Sequence, residues 1–143
     1  MKVREILANK KNKMPEIRQN DTIHSAIRKM LEIKESGLLI LGSQQNLQGI
    51  ITEKDVMRLL ADRYTQLEKV EVWEVMSKSL VTIDAEEKVD AALAFMNEKH
   101  IHHLPVLENK KVIGMVSLDD LISARLSKTE REAQMLKDFI SQQ

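Results

Sequence analysis

The stretch Gly49-Ile50-Ile51-Thr52-Glu53-Lys54-Asp55 decides the fold, because its pattern returns as Gly114-Met115-Val116-Ser117-Leu118-Asp119-Asp120. Both read glycine, two apolar residues, a hydroxyl residue, two variable residues and an aspartate, 65 residues apart. Self-similarity at a fixed spacing is the mark of a repeat architecture. Working outward, Ile23, Ala26, Ile27 and Met30 match Val89, Ala92, Leu93 and Met96 at a spacing of 66. Leu38-Leu39-Ile40-Leu41 matches Leu104-Pro105-Val106-Leu107 in the same way, and Val3-Arg4-Glu5-Ile6-Leu7 matches Val72-Trp73-Glu74-Val75-Met76. The chain divides into one repeat over 1–68, a second over 69–127, and a tail over 128–143.

Each repeat carries the same order of signals. A short apolar segment opens it, around Ile17 in the first and at Leu80-Val81-Thr82-Ile83 in the second. Apolar residues at i, i+3, i+4 and i+7 then predict a helix, capped by Asp21 or Thr22 and by Asp84. Two short apolar strands joined by a polar loop read as a hairpin, 38–41 with 47–52 and 104–107 with 111–117. A second helix starts at the hydroxyl residue. The expected fold is α/β (α+β): two tandem β-α-β-β-α repeats with quasi-two-fold symmetry, plus a C-terminal helix. A unit of about 60 residues is marginal alone, so the repeats should pack together and leave two related clefts between them. The charged link 62–70 has neither Gly nor Pro and reads as a helix end. In the tail, Thr129-Glu130-Arg131-Glu132 reads as a capping box that opens a terminal amphipathic helix, with Ala133, Leu136 and Ile140 on one face.

Composition bounds the function. The 143 residues carry 22 Lys plus Arg against 22 Asp plus Glu, and no cysteine. Disulfides, thiolate nucleophiles and sulfur-rich metal sites are thereby excluded. No run of about 18 apolar residues occurs, and Met1–Lys10 lacks the apolar stretch of a signal peptide, so a cytoplasmic protein is expected. Aromatics are 3%, few for stacking bases. The basic run Lys10-Lys11-Asn12-Lys13 reads as a solvated loop, too narrow a footprint for nucleic acid. On a strand, His100 and His102 would share a face and His103 would point away, so no metal site is expected. No nucleophile–base pair is visible, and no enzyme is expected.

The repeated motif has two compatible readings. Thr52-x-x-Asp55 and Ser117-x-x-Asp120 suit capping boxes. A strand-to-helix turn also presents N–H groups to an anion, and an aspartate there can accept from the vicinal hydroxyls of a ribose.

Taken with their flanks, Ile101-His102-His103-Leu104-Pro105-Val106 among them, these repeats resemble a tandem pair of CBS domains, a Bateman module, over nearly all of 1–127. The resemblance implies regulation rather than catalysis. It implies an adenine-containing ligand as effector (AMP, ADP, ATP, NAD or S-adenosylmethionine), no required cofactor, a homodimer and a regulated partner protein. By that likeness Asp55 and Asp120 hold ribose, Thr52 and Ser117 contact phosphate or ribose, and Ile17, Ile40, Ile83 and Val106 line the adenine slot. Lys54, His102 and His103 are then candidates for phosphate. The repeats differ at these positions: Ser36-Gly37 stands opposite His102-His103, and Lys54 opposite Asp119. At most one tight site per chain is expected. The alternative is a ligand-free interaction scaffold whose motifs only cap helices.

Overall fold

A computed structural model describes residues 1–62 and 66–142. The elements are α1 (Val3–Ala8), β1 (Glu16–Ile17), α2 (Ile23–Ile33), β2 (Gly37–Leu41), β3 (Leu47–Thr52), α3 (Glu53–Asp62), β4 (Ile83–Asp84), α4 (Val89–Lys99), β5 (His103–Glu108), β6 (Lys111–Ser117) and α5 (Leu118–Ser141). The two repeats form matching three-stranded sheets, ordered β1-β2-β3 and β4-β5-β6. In each, the first pair is parallel and the second an antiparallel hairpin, with a register shift after Ile40 and after Val106. The second hairpin turns tightly through Asn109 and Lys110, both at positive φ, the backbone that matches the twist of its strands.

Leu80, Val81 and Thr82 lie outside any strand, so β4 is shorter than the apolar run implies. Thr22 caps α2, its side chain accepting from Ser25 N at 3.1 Å. Asp84 does not cap α4; it accepts from Glu86 N in the preceding turn, and Lys88 holds the N-cap position. Within the charged link, Asp62 ends α3, residues 63–65 lie outside the described part, and turns follow from Leu67.

Packing crosses the sequence boundary between the repeats. Val3, Ile6 and Leu7 of α1 are buried with Ile83, Val89, Leu104 and Leu121 of the second repeat. Val70 and Val72 are buried with Ile23, Leu38 and Ile51 of the first. Each lead-in segment therefore completes the core of the other repeat. The motif glycines permit this. A Cβ on Gly49 would lie 2.6 Å from Met76 Sδ, and one on Gly114 would overlap Lys13 O and Leu7. Backbone bonds seal both crossings: Ile50 N to Ser77 O and Met115 N to Lys13 O. Between the sheets, Leu39, Val112 and Met115 form a further apolar cluster with Leu47, Ile50 and Leu107 around them.

The tail differs from the expected separate helix. α5 runs unbroken for 24 residues. Thr129 lies inside it, its hydroxyl donating to Arg125 O rather than capping a new start.

Candidate functional site

The crossing places each Thr/Ser-x-x-Asp turn against the start of the opposite hairpin. In one cleft, Thr52, Lys54, Asp55 and Arg58 of the first repeat meet Ser79, Leu80, Val81, His100, Ile101, His102, His103 and Pro105 of the second. Lys54 and Arg58, the acids Glu53 and Asp55, and hydroxyls give it polar lining, and Ile50, Leu80, Val81, Ile101 and Pro105 supply apolar surface. Asp55 Oδ2 accepts from Thr52 N at 2.8 Å and from Thr52 Oγ1 at 3.2 Å. Its other oxygen, Oδ1, lies 3.4 Å from Arg58 Nη1, on a side chain that is 71% exposed. An ion pair of that kind is weak and easily replaced.

In the pseudo-equivalent cleft the aspartate is engaged by a buried cation. Ser117 and Asp120 form a complete capping box: Ser117 Oγ accepts from Asp120 N, and Asp120 Oδ2 accepts from Ser117 N at 2.8 Å. Lys10, 8% exposed, places its ammonium 2.8 Å from Asp120 Oδ2 and 3.2 Å from Glu35 Oε1. It also donates to Met115 O at 2.9 Å. Three donors meet three acceptors, which satisfies a buried ammonium. The space beside this cluster is lined by the acids Glu35, Glu53, Asp119 and Asp120, by Lys34, and by apolar residues that include Ile27, Leu31 and Met57. Lys10 is therefore no part of a solvated loop. No local pattern in the sequence distinguishes it from Lys11 or Lys13, because its partners are remote in the chain.

His103 stands between the clefts. Its Nε2 lies 2.8 Å from Ser36 Oγ, and its ring covers Gly37, where a Cβ would come within 2.9 Å of Cδ2. By the repeat, Gly37 and His103 are counterparts, and the absent side chain on one side makes room for the ring on the other. Burial, helped by His102 and Lys10, lowers the His103 pKa to about 4. A serine–histidine pair is thus present that sequence spacing did not reveal. A base of pKa near 4 is a feeble proton acceptor at neutral pH, and the contact acts as a clasp between repeats. His100 is not on a strand; it ends α4 in the left-handed conformation. Among the described residues, no three His, Asp or Glu side chains converge on a metal position.

Of the expected site residues, the cleft brings together Thr52, Lys54, Asp55, His102 and His103. Ser117 and Asp120 belong to the Lys10 cluster. Ile17 faces Ile40, and Ile83 faces Val106, as ladder partners. These four are buried in the cores of their own repeats, so the apolar wall of the Asp55 cleft comes from other residues. Arg58, Ser79 and Ile101 were not anticipated. Arg58, one helical turn from Asp55, was the one the spacing could have revealed.

The profile of the CBS domain matches the chain twice, over residues 3–62 and 72–127. The chain belongs to the CBS-domain family. Similar to this CBS pair is the mitochondrial CBS domain-containing protein CBSX3 of Arabidopsis thaliana, 33% identical over 85% of the chain and 61% of the relative. Homoserine O-acetyltransferase of Methanosphaerula palustris is 32% identical, but over 21% of its own length. The chain thus spans only part of these curated relatives. Among solved structures, the CBS-domain containing protein of Agrobacterium tumefaciens superposes with a TM-score of 0.81 at 22% identity, covering 87% of this chain and 99% of its own. The hexameric CBS-CP12 protein of bloom-forming cyanobacteria does so with a TM-score of 0.73 at 26% identity, covering 85% and 70%. Tandem CBS modules are in general regulatory and ligand-binding. No helix among the described residues is long and apolar enough to cross a membrane.

Proposed function

We propose that this CBS pair is a sensor that holds one adenine-containing ligand in the Asp55 cleft and modulates a partner protein. The observation that carries the reading is the contrast between the two aspartates. Among the described residues, Asp55 is paired only with its own turn and an exposed arginine, whereas Asp120 is paired with a buried lysine. In the proposed complex, Asp55 releases Arg58 and accepts from ribose hydroxyls. Lys54, Arg58 and His102 face the phosphate, and Leu80, Val81 and Ile101 enclose the base. The cleft encloses about 190 Å³, below the roughly 300–1,000 Å³ of ordinary small-molecule pockets. Arg58 and His102, both exposed, move outward when ligand enters.

The proposed assembly is a homodimer through helix faces, where Leu31, Met57 and Leu60 of the first repeat and Ile122 and Leu126 of the second stand exposed. The proposed compartment is the cytoplasm, a point for fractionation to decide, since the Arabidopsis relative is named mitochondrial.

The test is the thermal midpoint against AMP, ADP, ATP, NAD and S-adenosylmethionine, with GMP as control. A ligand at about 100 times its Kd adds about 2.7 kcal/mol, a rise of several degrees. The rise is expected for an adenine compound, is lost in Asp55→Ala, and persists in Asp120→Asn. No rise at millimolar concentration of any compound sinks the sensor reading. It would favour the second one, a scaffold without ligand, for which the completed Ser117–Asp120 box already speaks.

A further inference from the structure

We propose that the C-terminal half of α5 forms a parallel two-stranded coiled coil with the same helix of a second copy of this chain. The inference rests on the dimer proposed above and specifies a part of it.

Two observations call for a partner. Every described residue from Thr129 to the end of α5 is exposed, whichever way it points, and a helix of fewer than about 12–15 residues is marginal alone in water. This stretch nevertheless shows Leu136 and Ile140 at 60% and 61% exposure. The apolar positions then supply the geometry. Ile122, Leu126, Thr129, Ala133, Leu136 and Ile140 follow one another in alternating steps of four and three residues. That is the heptad spacing of a coiled-coil seam, with Leu126, Ala133 and Ile140 at a and Ile122, Thr129 and Leu136 at d. The seam avoids the face by which α5 packs on its own repeat, since Leu121 is fully buried and Ile122 beside it is not. Thr129 brings no orphan donor into the seam, because its hydroxyl is already bonded to Arg125 O.

Charge selects the partner and its direction. In a parallel pair, each g residue faces the following e residue of the other helix. Arg125 then faces Glu130 of the partner subunit, and Glu132 faces Lys137 of the partner subunit; both pairs are attractive and each occurs twice by symmetry. Among the described residues, Arg125 pairs only with Asp90, at 3.5 Å and with side chains 45% and 69% exposed, and is free to exchange. The antiparallel pairing of the same seam sets Glu130 against its own copy and Glu132 against its own copy, which repels. A second copy of this chain, side by side and in the same direction, is the occupant the charges fit.

The chain has no cysteine, so one introduced cysteine reports cleanly. Ile140→Cys in the full chain, under mild air oxidation, is expected to give a disulfide-linked dimer. In the antiparallel pair the two positions lie on the order of 27 Å apart, far beyond the ~7 Å limit for bridging. Sedimentation supplies the second measurement. Glu132→Lys is expected to weaken the dimer about tenfold, as two attractive pairs become repulsive. Glu132→Lys combined with Lys137→Glu is expected to restore it. These positions are exposed, so folding survives. A dimer that neither crosslinks nor responds to the charge exchange overturns the coiled coil and leaves the dimer. A monomer at micromolar concentration overturns both, while the nucleotide test stands apart from either result.

Discussion

Lys10 illustrates how a single side chain separates two sites built on the same motif. Its ammonium neutralises Asp120 and Glu35, and Glu35 still keeps a raised pKa because burial disfavours its charge more than Lys10 restores it. Lys10→Met leaves two carboxylates without their cation and is expected to cost about 3–5 kcal/mol, measured by urea denaturation. Adding Glu35→Gln should recover part of that loss. His103 makes its own contribution to the pH dependence, beside that of Glu35. Its native pKa, about 4, lies below the ordinary 6.5, so the unfolded chain binds the proton more readily. Stability is full above about pH 6.5 and falls as pH drops through that window, by on the order of 3 kcal/mol at most. His103→Asn should flatten the curve between pH 4 and 6.5 in denaturant titrations; an unchanged slope would show that this ring is not the titrating group.

At the scale of elements, the two lead-in segments do the same task with different lengths. The first runs from Leu7 to Lys13 before it bridges β6, whereas Met76 and Ser77 are adjacent where the second bridges β3. The extra turn in the first is the one that carries Lys10. Gly114 admits that segment, and its Cβ would meet backbone as well as a side chain. Gly114→Ala is therefore expected to destabilise by several kcal/mol through overpacking. Gly37→Ala, which meets only the His103 ring, should cost less, and the difference is measurable in paired thermal melts. Strands, hairpins and core helices were legible because their apolar periods repeat in both copies. The place of Asp55 in its turn was legible because its motif recurs. The exchange of lead-in segments was not, since Val3 and Val72 look alike whichever repeat buries them. The Lys10 cluster and the Ser36–His103 clasp were hidden for the same reason: long-range packing leaves no period in the chain. Local patterns misled at Asp84, at Leu80–Thr82, at His100 and in the tail, where Thr129 with Glu132 imitates a helix start inside a continuous helix.

At the scale of the molecule, the quasi-two-fold frame is obeyed by the backbone and broken by side chains at equivalent positions. Two sheets of identical order enclose a shared apolar layer, while Gly37 and His103, or Lys54 and Asp119, make the halves chemically unlike. Lys10 rivets the Asp120 turn to Glu35, whereas the Asp55 turn meets the exposed Arg58. The crossed lead-in segments add a consequence for ancestry and engineering. Neither half, excised at the link, keeps its own interior complete: the front half would leave behind the valines at 70 and 72, and the rear half would lose α1. When such a module is carried from one longer polypeptide to another, the heritable piece is the couple, and a lone half grafted elsewhere arrives with its hydrophobic interior unsealed.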